Sequence, residues 1–200
     1  MHVIEFFFDF ASPYGYLASH VIDALGERTG RPVVWKPILL GAAMKETGAV
    51  PLLTVPMKGD YARRDATRSA RRLGVRLVVP ETFPFASVAA CRAYYALVDE
   101  DPDAAKALAR ALYETVFAEG KEISRAETVL ETAGRAGLDA EALAAAMISP
   151  EVKDRLRREV TEAIERGVFG SPFFIVDGEE PFWGFDRLDE VEAWLREGAW

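Results

Sequence analysis

The segment FFFDFASPYGYLA, residues 6–18, places a single hydroxyl where two kinds of backbone meet. Ser12 follows an aromatic run typical of a buried strand, and Pro13 then opens a helical pattern. The simplest interpretation is a helix N-cap, because serine before proline is a favoured helix start. A second interpretation uses the same geometry, since the N–H groups and partial charge of a helix N-terminus favour a bound anion.

Ser12 does not fit a hydrolytic nucleophile. The two histidines are His2 and His20, and His20 lies about two helical turns beyond Ser12, which predicts a position outside the site. The single cysteine, Cys91, excludes an intramolecular disulfide and a cysteine-based metal site, and two histidines cannot build a His-rich centre. We therefore expect no metal. Cys91 stands in an apolar helical run, which favours a buried, inert thiol.

A basic segment begins at Lys58. Residues 58–76 contain seven basic and two acidic side chains, a net charge of +5 within a chain of −8. One interpretation is a solvated helical face with i,i+4 ion pairs. The other is a patch that binds carboxylates. Lys58, Tyr61, Asp65 and Arg68 follow helical spacing, so they are expected on one face.

Length and composition indicate one folded domain, or one domain with a large insertion, because half of the 200 residues are apolar. The net charge of −8 makes nucleic acid or an anionic membrane an unfavourable partner. Residues 1–5 show no basic leader region, and no apolar stretch reaches the roughly 18 residues of a membrane span. We therefore expect no membrane partner and a cytoplasmic protein.

The order of elements predicts an α/β fold. Residues 3–10 and 33–40 read as strands, the first buried on both faces, and helical spacing runs from Ser12 to about Thr29 between them. Such a βαβ unit favours a parallel pair. Residues 41–57 predict a loop, and residues 59–166 predict a helical block. Two strands are predicted at residues 172–177 and 182–184, followed by a last helix capped by Asp186.

The predicted order is β-α-β, a helical block, then β-β-α. This organisation predicts a small sheet domain formed by residues 1–40 plus 167–200, with residues 41–166 inserted as an all-helical domain.

Three segments resemble one known family. Ser12-Pro13-Tyr14-Gly15 stands where the thioredoxin superfamily has C-x-x-C, with both cysteines replaced, and the helical insertion resembles that of the DsbA branch. The segments DFASPYGYLA, PMKGDYARRDATR and VFGSPFFIVDGEEPFWGFDRLDEVE resemble the 2-hydroxychromene-2-carboxylate isomerase and kappa-class glutathione transferase family. The third is the most specific, and the resemblance covers nearly the whole chain. It implies a thioredoxin-like sheet domain with a DsbA/kappa-type helical insertion.

The resemblance also implies a glutathione-dependent enzyme, usually a homodimer, acting on a small aromatic or electrophilic substrate. The Ser12 hydroxyl would bind the glutathione sulfur, and Ser171, before a cis-Pro172, would pair its backbone with the glutathione cysteine. Lys58 would contact glutathione, and Asp186 would contact the γ-glutamyl ammonium. Phe185 would either wall the pocket or belong to the core.

The chain departs from the family at one position. Many members carry asparagine nine residues before the lysine, where it helps to bind glutathione or orient the substrate, and here that residue is Ala49. Three alternatives to an isomerase are compared with it. A glutathione transferase would use the same thiolate, and a non-catalytic binding protein would keep only the fold. A disulfide oxidoreductase is excluded at positions 12 and 15, because neither is cysteine.

Overall fold

A four-stranded mixed sheet, with strand order β2-β1-β3-β4, forms the centre of the protein. The computed structural model describes residues 2–198. β1 pairs in parallel with β2 and antiparallel with β3, and β3 pairs antiparallel with β4. The strands span Ile4–Phe8 (β1), Val33–Pro37 (β2), Phe173–Val176 (β3) and Glu180–Trp183 (β4). This topology confirms the predicted β-α-β … β-β-α order and the α/β fold class.

Most of the helices lie between β2 and β3, where the sequence predicts the insertion. None of the helices within residues 2–198 is both long and apolar enough to cross a membrane. The division into two domains stays a prediction. The helices span Pro13–Ser19 (α1), Ile22–Thr29 (α2), Leu40–Thr47 (α3), Lys58–Leu73 (α4), Val88–Leu97 (α5), Pro102–Phe117 (α6), Ala126–Arg135 (α7), Ala140–Met147 (α8), Pro150–Glu165 (α9) and Leu188–Glu197 (α10), with 3₁₀ turns at Leu52–Thr54 and Phe185–Arg187.

The aromatic run of β1 is buried on both faces of the sheet, as predicted. Phe6 is fully buried, stacks on Phe174 of β3 and meets Trp35 of β2 edge-on, with ring centroids 5.5 and 5.1 Å away. Phe7 points to the opposite face, where Lys36 lies over its ring at 5.6 Å. This packing fixes the carboxyl end of β1, from which the chain continues to Ser12.

An ion-pair network ties the sheet to α9. Glu5 of β1 accepts two hydrogen bonds from the Arg166 guanidinium, and the Lys36 amine lies 3.3 Å from its carboxylate. Lys36 also lies 3.4 Å from Glu159 of α9. Burial alone would raise the pKa of Glu5, but the hydrogen bonds and charges of Arg166 and Lys36 outweigh it and lower the pKa below its ordinary value.

The single helix predicted from Ser12 to Thr29 is wrong, because the structure has two helices, α1 and α2, with a break at His20 and Val21. The Ser19 hydroxyl donates to the Tyr16 carbonyl at 2.6 Å and competes with the helical backbone there. The amides of His20 and Val21 bond three residues back, to Leu17 and Ala18, which tightens and ends the turn.

The loop predicted at residues 41–57 is wrong in part, since α3 occupies Leu40–Thr47 and a 3₁₀ turn occupies Leu52–Thr54, while the remaining residues before α4 are loop as predicted. The Asp9 carboxylate accepts the Leu40 amide at 2.7 Å and satisfies a donor at the start of α3. Because Asp9 is 31 residues away, local sequence does not reveal this cap. Gly48 ends the helix with φ at 71°.

Candidate active site

A cavity of about 1270 Å³ opens beyond the carboxyl end of β1. Ser12, Ser171, Pro172, Phe185 and Asp186 all line it, so the fold brings together five residues that the sequence proposed from opposite ends of the chain. Its volume exceeds the roughly 300–1,000 Å³ usual for one small ligand, which leaves space for two. Its lining includes apolar side chains from α3, the 3₁₀ turn Leu52–Thr54 and two loops: Met44, Val50, Leu53, Phe83 and Phe85.

Ser12 is the N-cap of α1, and its side chain is engaged on two sides. Its oxygen accepts the Gly15 amide at 3.0 Å, while its hydroxyl donates to the Ser171 carbonyl at 2.7 Å. Pro13 occupies the first helical position, as predicted. Ser12 is only 6% exposed yet lines the cavity, so both the cap interpretation and a position at the ligand-facing surface are compatible.

Ser171 and Pro172 bring the chain from α9 into β3 beside Ser12. The bond between them is cis, as the resemblance implies. The Ser171 hydroxyl oxygen accepts the Asp9 amide at 2.9 Å, which holds this segment against the end of β1. The backbone that precedes β3 is therefore fixed at the cavity surface, next to the Ser12 hydroxyl.

Asp9 is a site residue that the sequence reasoning missed. Besides the Leu40 amide, its buried carboxylate accepts the Ala11 amide at 2.9 Å and a hydrogen bond from Ser87. Burial raises the pKa of Asp9 although these hydrogen bonds oppose the shift. Asp9 thus links the end of β1 to the starts of α3 and α5 beside the cavity. The sequence feature that could have revealed this role is an acidic residue directly after a buried strand.

Tyr14 links α1 to α4 across the cavity. Its hydroxyl donates to the Asp65 carboxylate at 2.9 Å, and Arg68 donates to the same carboxylate at 2.7 Å. Burial, followed by the Asp65 contact, raises the pKa of Tyr14, so the phenol stays protonated at neutral pH. The Tyr14–Asp65 hydrogen bond thus ties α4 to α1, and Arg68 contacts Asp65 from within the same helix.

Lys58 lies apart from the other five proposed residues. It lines a smaller neighbouring cavity of about 390 Å³, whose lining includes Tyr14 and Tyr61, and both tyrosines also border the large cavity. Met57 precedes it at φ 63°, with the Lys58 amide donating to the Pro56 carbonyl at 2.7 Å. This γ-turn conformation is unusual for a residue other than glycine. Lys58 therefore borders the proposed site rather than entering it.

Asp186 does not cap the last helix, which corrects the sequence prediction. It lies in the 3₁₀ turn Phe185–Arg187, and α10 begins at Leu188 without a side-chain cap. Its exposed carboxylate lies 3.1 Å from the Arg187 guanidinium at the cavity rim. Phe185 is half-buried and packs against the core while lining the cavity, so both interpretations of Phe185 hold.

Two further positions face the cavity. Ala49 lines it, so the departure from the family asparagine changes the site surface. His20 also lines it, which corrects the prediction that it lies outside. Its imidazole stacks edge-on against Tyr16, and its Nε2 lies 3.5 Å from Glu114. Burial lowers the pKa of His20 despite Glu114. The two described partners of the Ser12 hydroxyl are backbone groups, not His20.

The profile of the DsbA-like thioredoxin domain family matches residues 3–196. The chain belongs to this family.

Relatives of two kinds match this DsbA-like domain along its length. It is 34% identical to 2-hydroxychromene-2-carboxylate isomerase of Sphingobium xenophagum, over 96% of this chain and 97% of the relative. It is 28% identical to glutathione S-transferase kappa 1 of Rattus norvegicus, over 99% and 92%. A solved 2-hydroxychromene-2-carboxylate isomerase has a TM-score of 0.83 at 27% identity, over 96% of this chain and 93% of that one. The resemblance seen in three segments is confirmed.

The DsbA-like domain has no room for a cysteine side chain at position 15. A β-carbon on Gly15 would overlap the Tyr113 hydroxyl oxygen and come within 3.0 Å of the Ser171 hydroxyl oxygen. Tyr113 is itself held by a 3.0 Å hydrogen bond to the Asp9 carbonyl. Packing therefore agrees with the absence of cysteine, and the site is not built for dithiol exchange. Cys91 is buried 3.7 Å from the Ile38 carbonyl, and burial raises its pKa well above the ordinary value, as expected of an inert thiol.

Proposed function

We propose that this protein is a glutathione-dependent isomerase of the 2-hydroxychromene-2-carboxylate isomerase type. The observation that carries the proposal is the pairing of Ser12 with the residue before cis-Pro172 at the surface of a large cavity. Relatives named as this isomerase and as kappa glutathione transferases support both the chemistry and the thiol cofactor. The proposal includes a cytoplasmic homodimer.

Glutathione would lie along the backbone before β3, with its cysteine pairing with Ser171 in the manner of an added strand. The Ser12 hydroxyl would then donate to the sulfur. Asp186 at the cavity rim would bind the γ-glutamyl ammonium, and Phe185 would pack against the peptide. Lys58 would reach a carboxylate from the adjoining cavity.

The chemistry would be a reversible conjugate addition. The hemiketal C–O bond of the chromene first breaks, and its hydroxyl proton passes to the phenol oxygen, which gives an open-chain conjugated ketone. The thiolate lone pair then forms a C–S bond at the activated double bond, whose π electrons move onto the ketone oxygen. The remaining single bond rotates, the electrons return, and the C–S bond breaks, so sulfur leaves unchanged and no other reactant is consumed. A free thiol has a pKa near 8.5, so a reduction of about two units would make the thiolate dominant at neutral pH. The apolar side chains that line the cavity, among them Met44, Leu53, Phe83 and Phe85, suit an aromatic substrate.

A kappa-like glutathione transferase is the second candidate. Ala49 favours it, because the family asparagine is missing from the cavity surface while the thiol-binding elements remain. A non-catalytic thioredoxin-fold binding protein is the third candidate. The isomerase and the transferase share the glutathione site and differ in what happens to the second ligand, whereas the third candidate keeps only the fold.

The test compares the interconversion of 2-hydroxychromene-2-carboxylate and trans-o-hydroxybenzylidenepyruvate with conjugation of a chloronitrobenzene, with and without glutathione. We expect glutathione-dependent isomerisation and a roughly 10- to 100-fold loss in Ser12→Ala, the value of one hydrogen bond to a charged group. Ser149→Ala is the matched control, because Ser149 caps α9 before Pro150 in the same way but lies outside the cavity. Conjugation alone would favour the transferase. No binding heat at millimolar glutathione, with neither reaction, would contradict the isomerase and the transferase and favour the non-catalytic protein that keeps only the fold.

A further inference from the structure

The Ser12 hydroxyl has one proton, and the Ser171 carbonyl holds it. The donor–acceptor distance is 2.7 Å, and the same oxygen already accepts the Gly15 amide at 3.0 Å. The Ser12 hydroxyl can therefore donate to a ligand sulfur only if it turns away from the carbonyl.

Turning away leaves the Ser171 carbonyl without that donor. Two neighbouring donors already have other acceptors, since the Tyr113 hydroxyl donates to the Asp9 carbonyl and the Gly15 amide donates to Ser12. The Ser12–Ser171 bond is partly buried, so leaving its acceptor unpaired opposes the movement of the hydroxyl. A ligand that brings its own N–H to this carbonyl removes that opposition.

We propose that the Ser171 carbonyl selects thiols that carry an amide N–H on the sulfur-bearing residue, and that this N–H releases the Ser12 hydroxyl for the sulfur. The inference rests on the proposed function and deepens it. N-acylated cysteine peptides such as glutathione meet the requirement, whereas simple alkyl thiols do not. The ligand amide thus acts on the sulfur through Ser12, in addition to holding the peptide in place.

The Ser171 carbonyl belongs to the backbone and cannot be removed by substitution, so the test changes the ligand. Glutathione is compared with its depsipeptide analogue, in which an ester oxygen replaces the N–H between the γ-glutamyl group and cysteine. Each ligand is bound to the wild type and to Ser12→Ala. The pKa of the bound thiol is read from thiolate ultraviolet absorbance against pH and corrected for the pKa of the free ligand. Calorimetry at a pH above both bound pKa values gives the two dissociation constants, and their ratio is taken as analogue over glutathione.

In the wild type we expect the corrected thiol pKa to be about one unit lower for glutathione than for the analogue, and no such difference in Ser12→Ala. The ratio of dissociation constants should be about tenfold larger in the wild type than in Ser12→Ala. Equal corrected pKa values in the wild type, or equal ratios in the two proteins, would overturn the inference and leave the proposed function standing. A glutathione thiol pKa that does not fall on binding, or that Ser12→Ala does not change, would overturn both. Ser12→Val repeats the comparison if Ser12→Ala does not fold.

Discussion

The hydroxyl of Tyr113 fills the space that a β-carbon at position 15 would need. Tyr113 lies on α6 and donates to the Asp9 carbonyl at 3.0 Å, so a residue of the helical segment fixes both the start of α1 and the end of β1. Glycine at this position is therefore required by packing against the buried Tyr113, not by helix geometry.

Gly15→Ala should lower the free energy of unfolding by about 1–2 kcal/mol, because overpacking outweighs the helix propensity that alanine gains. Tyr113→Phe removes the overlapping oxygen and should recover part of this loss in the double variant, which chemical denaturation of all four proteins would measure. Gly134→Ala on α7 is the control, since nothing lies within 4 Å of its added β-carbon, and it should stabilise the protein slightly. Additive losses in the double variant would contradict the contact.

Lys58→Met should weaken glutathione binding about 5- to 10-fold, because the variant loses an ion pair between an exposed ammonium and a ligand carboxylate. The loss is moderate because solvent screens this pair. Calorimetry at low and high salt checks this, and the effect should shrink as salt rises. Arg64→Met on the same helix is the matched control, since Arg64 is exposed and lines neither cavity. Equal losses in both variants would indicate a general field of α4 instead of a contact by Lys58.

Asp186→Asn should weaken glutathione binding about tenfold, because the γ-glutamyl ammonium would lose a charged acceptor. A glutathione analogue without the α-amino group should bind the wild type and Asp186→Asn almost equally. Arg187 keeps its hydrogen bond with Glu190 in the variant, so the rim should stay in place. If the variant weakens both ligands by the same factor, Asp186 supports the rim and does not bind the ammonium.

Glu5→Gln should lower the free energy of unfolding by about 2 kcal/mol at neutral pH, because Arg166 and Lys36 would lose a largely buried partner. The folded pKa of Glu5 is lowered, so its contribution is present above the unfolded value of about 4.5 and disappears as the pH falls through the folded pKa. Denaturation from pH 3 to 7 should therefore show a weaker acid dependence in the variant. The exposed Glu162→Gln, whose carboxylate lies 3.7 Å from Lys36, is the control and should change little. Parallel pH curves for wild type and Glu5→Gln would contradict the assignment.

The strands and several helix ends are predictable because their signals are local. Aromatic and β-branched runs mark β1 and β3, and Gly30 ends α2 with φ at 67°. Ser149 caps α9 ahead of Pro150 in the same local way. In these cases the residues that determine the conformation stand next to one another in the sequence.

The remaining elements depend on contacts between distant residues. α3 begins where Asp9 accepts the Leu40 amide, and the break after α1 depends on one hydroxyl of Ser19 that lies within a good helical pattern. The site follows the same rule. Ser12 is visible as a cap in the sequence, but its hydrogen bond to Ser171 and the closeness of Tyr113 to Gly15 arise only when the two ends of the chain meet.

The pairing of β1 with β3 also determines how late in synthesis the sheet can be completed. Asp9 and Ser171 are 162 residues apart in the chain. At about 5–20 residues per second, roughly 10 to 30 s pass between their synthesis. During that interval β1 can pair with β2 and the intervening helices can pack, while the opposite edge of β1 exposes unpaired backbone groups. A nascent chain that stalls in this period has Ser12 without the Ser171–Pro172 segment that lies beside it in the folded protein, and it presents an aromatic strand edge on which chaperones can act.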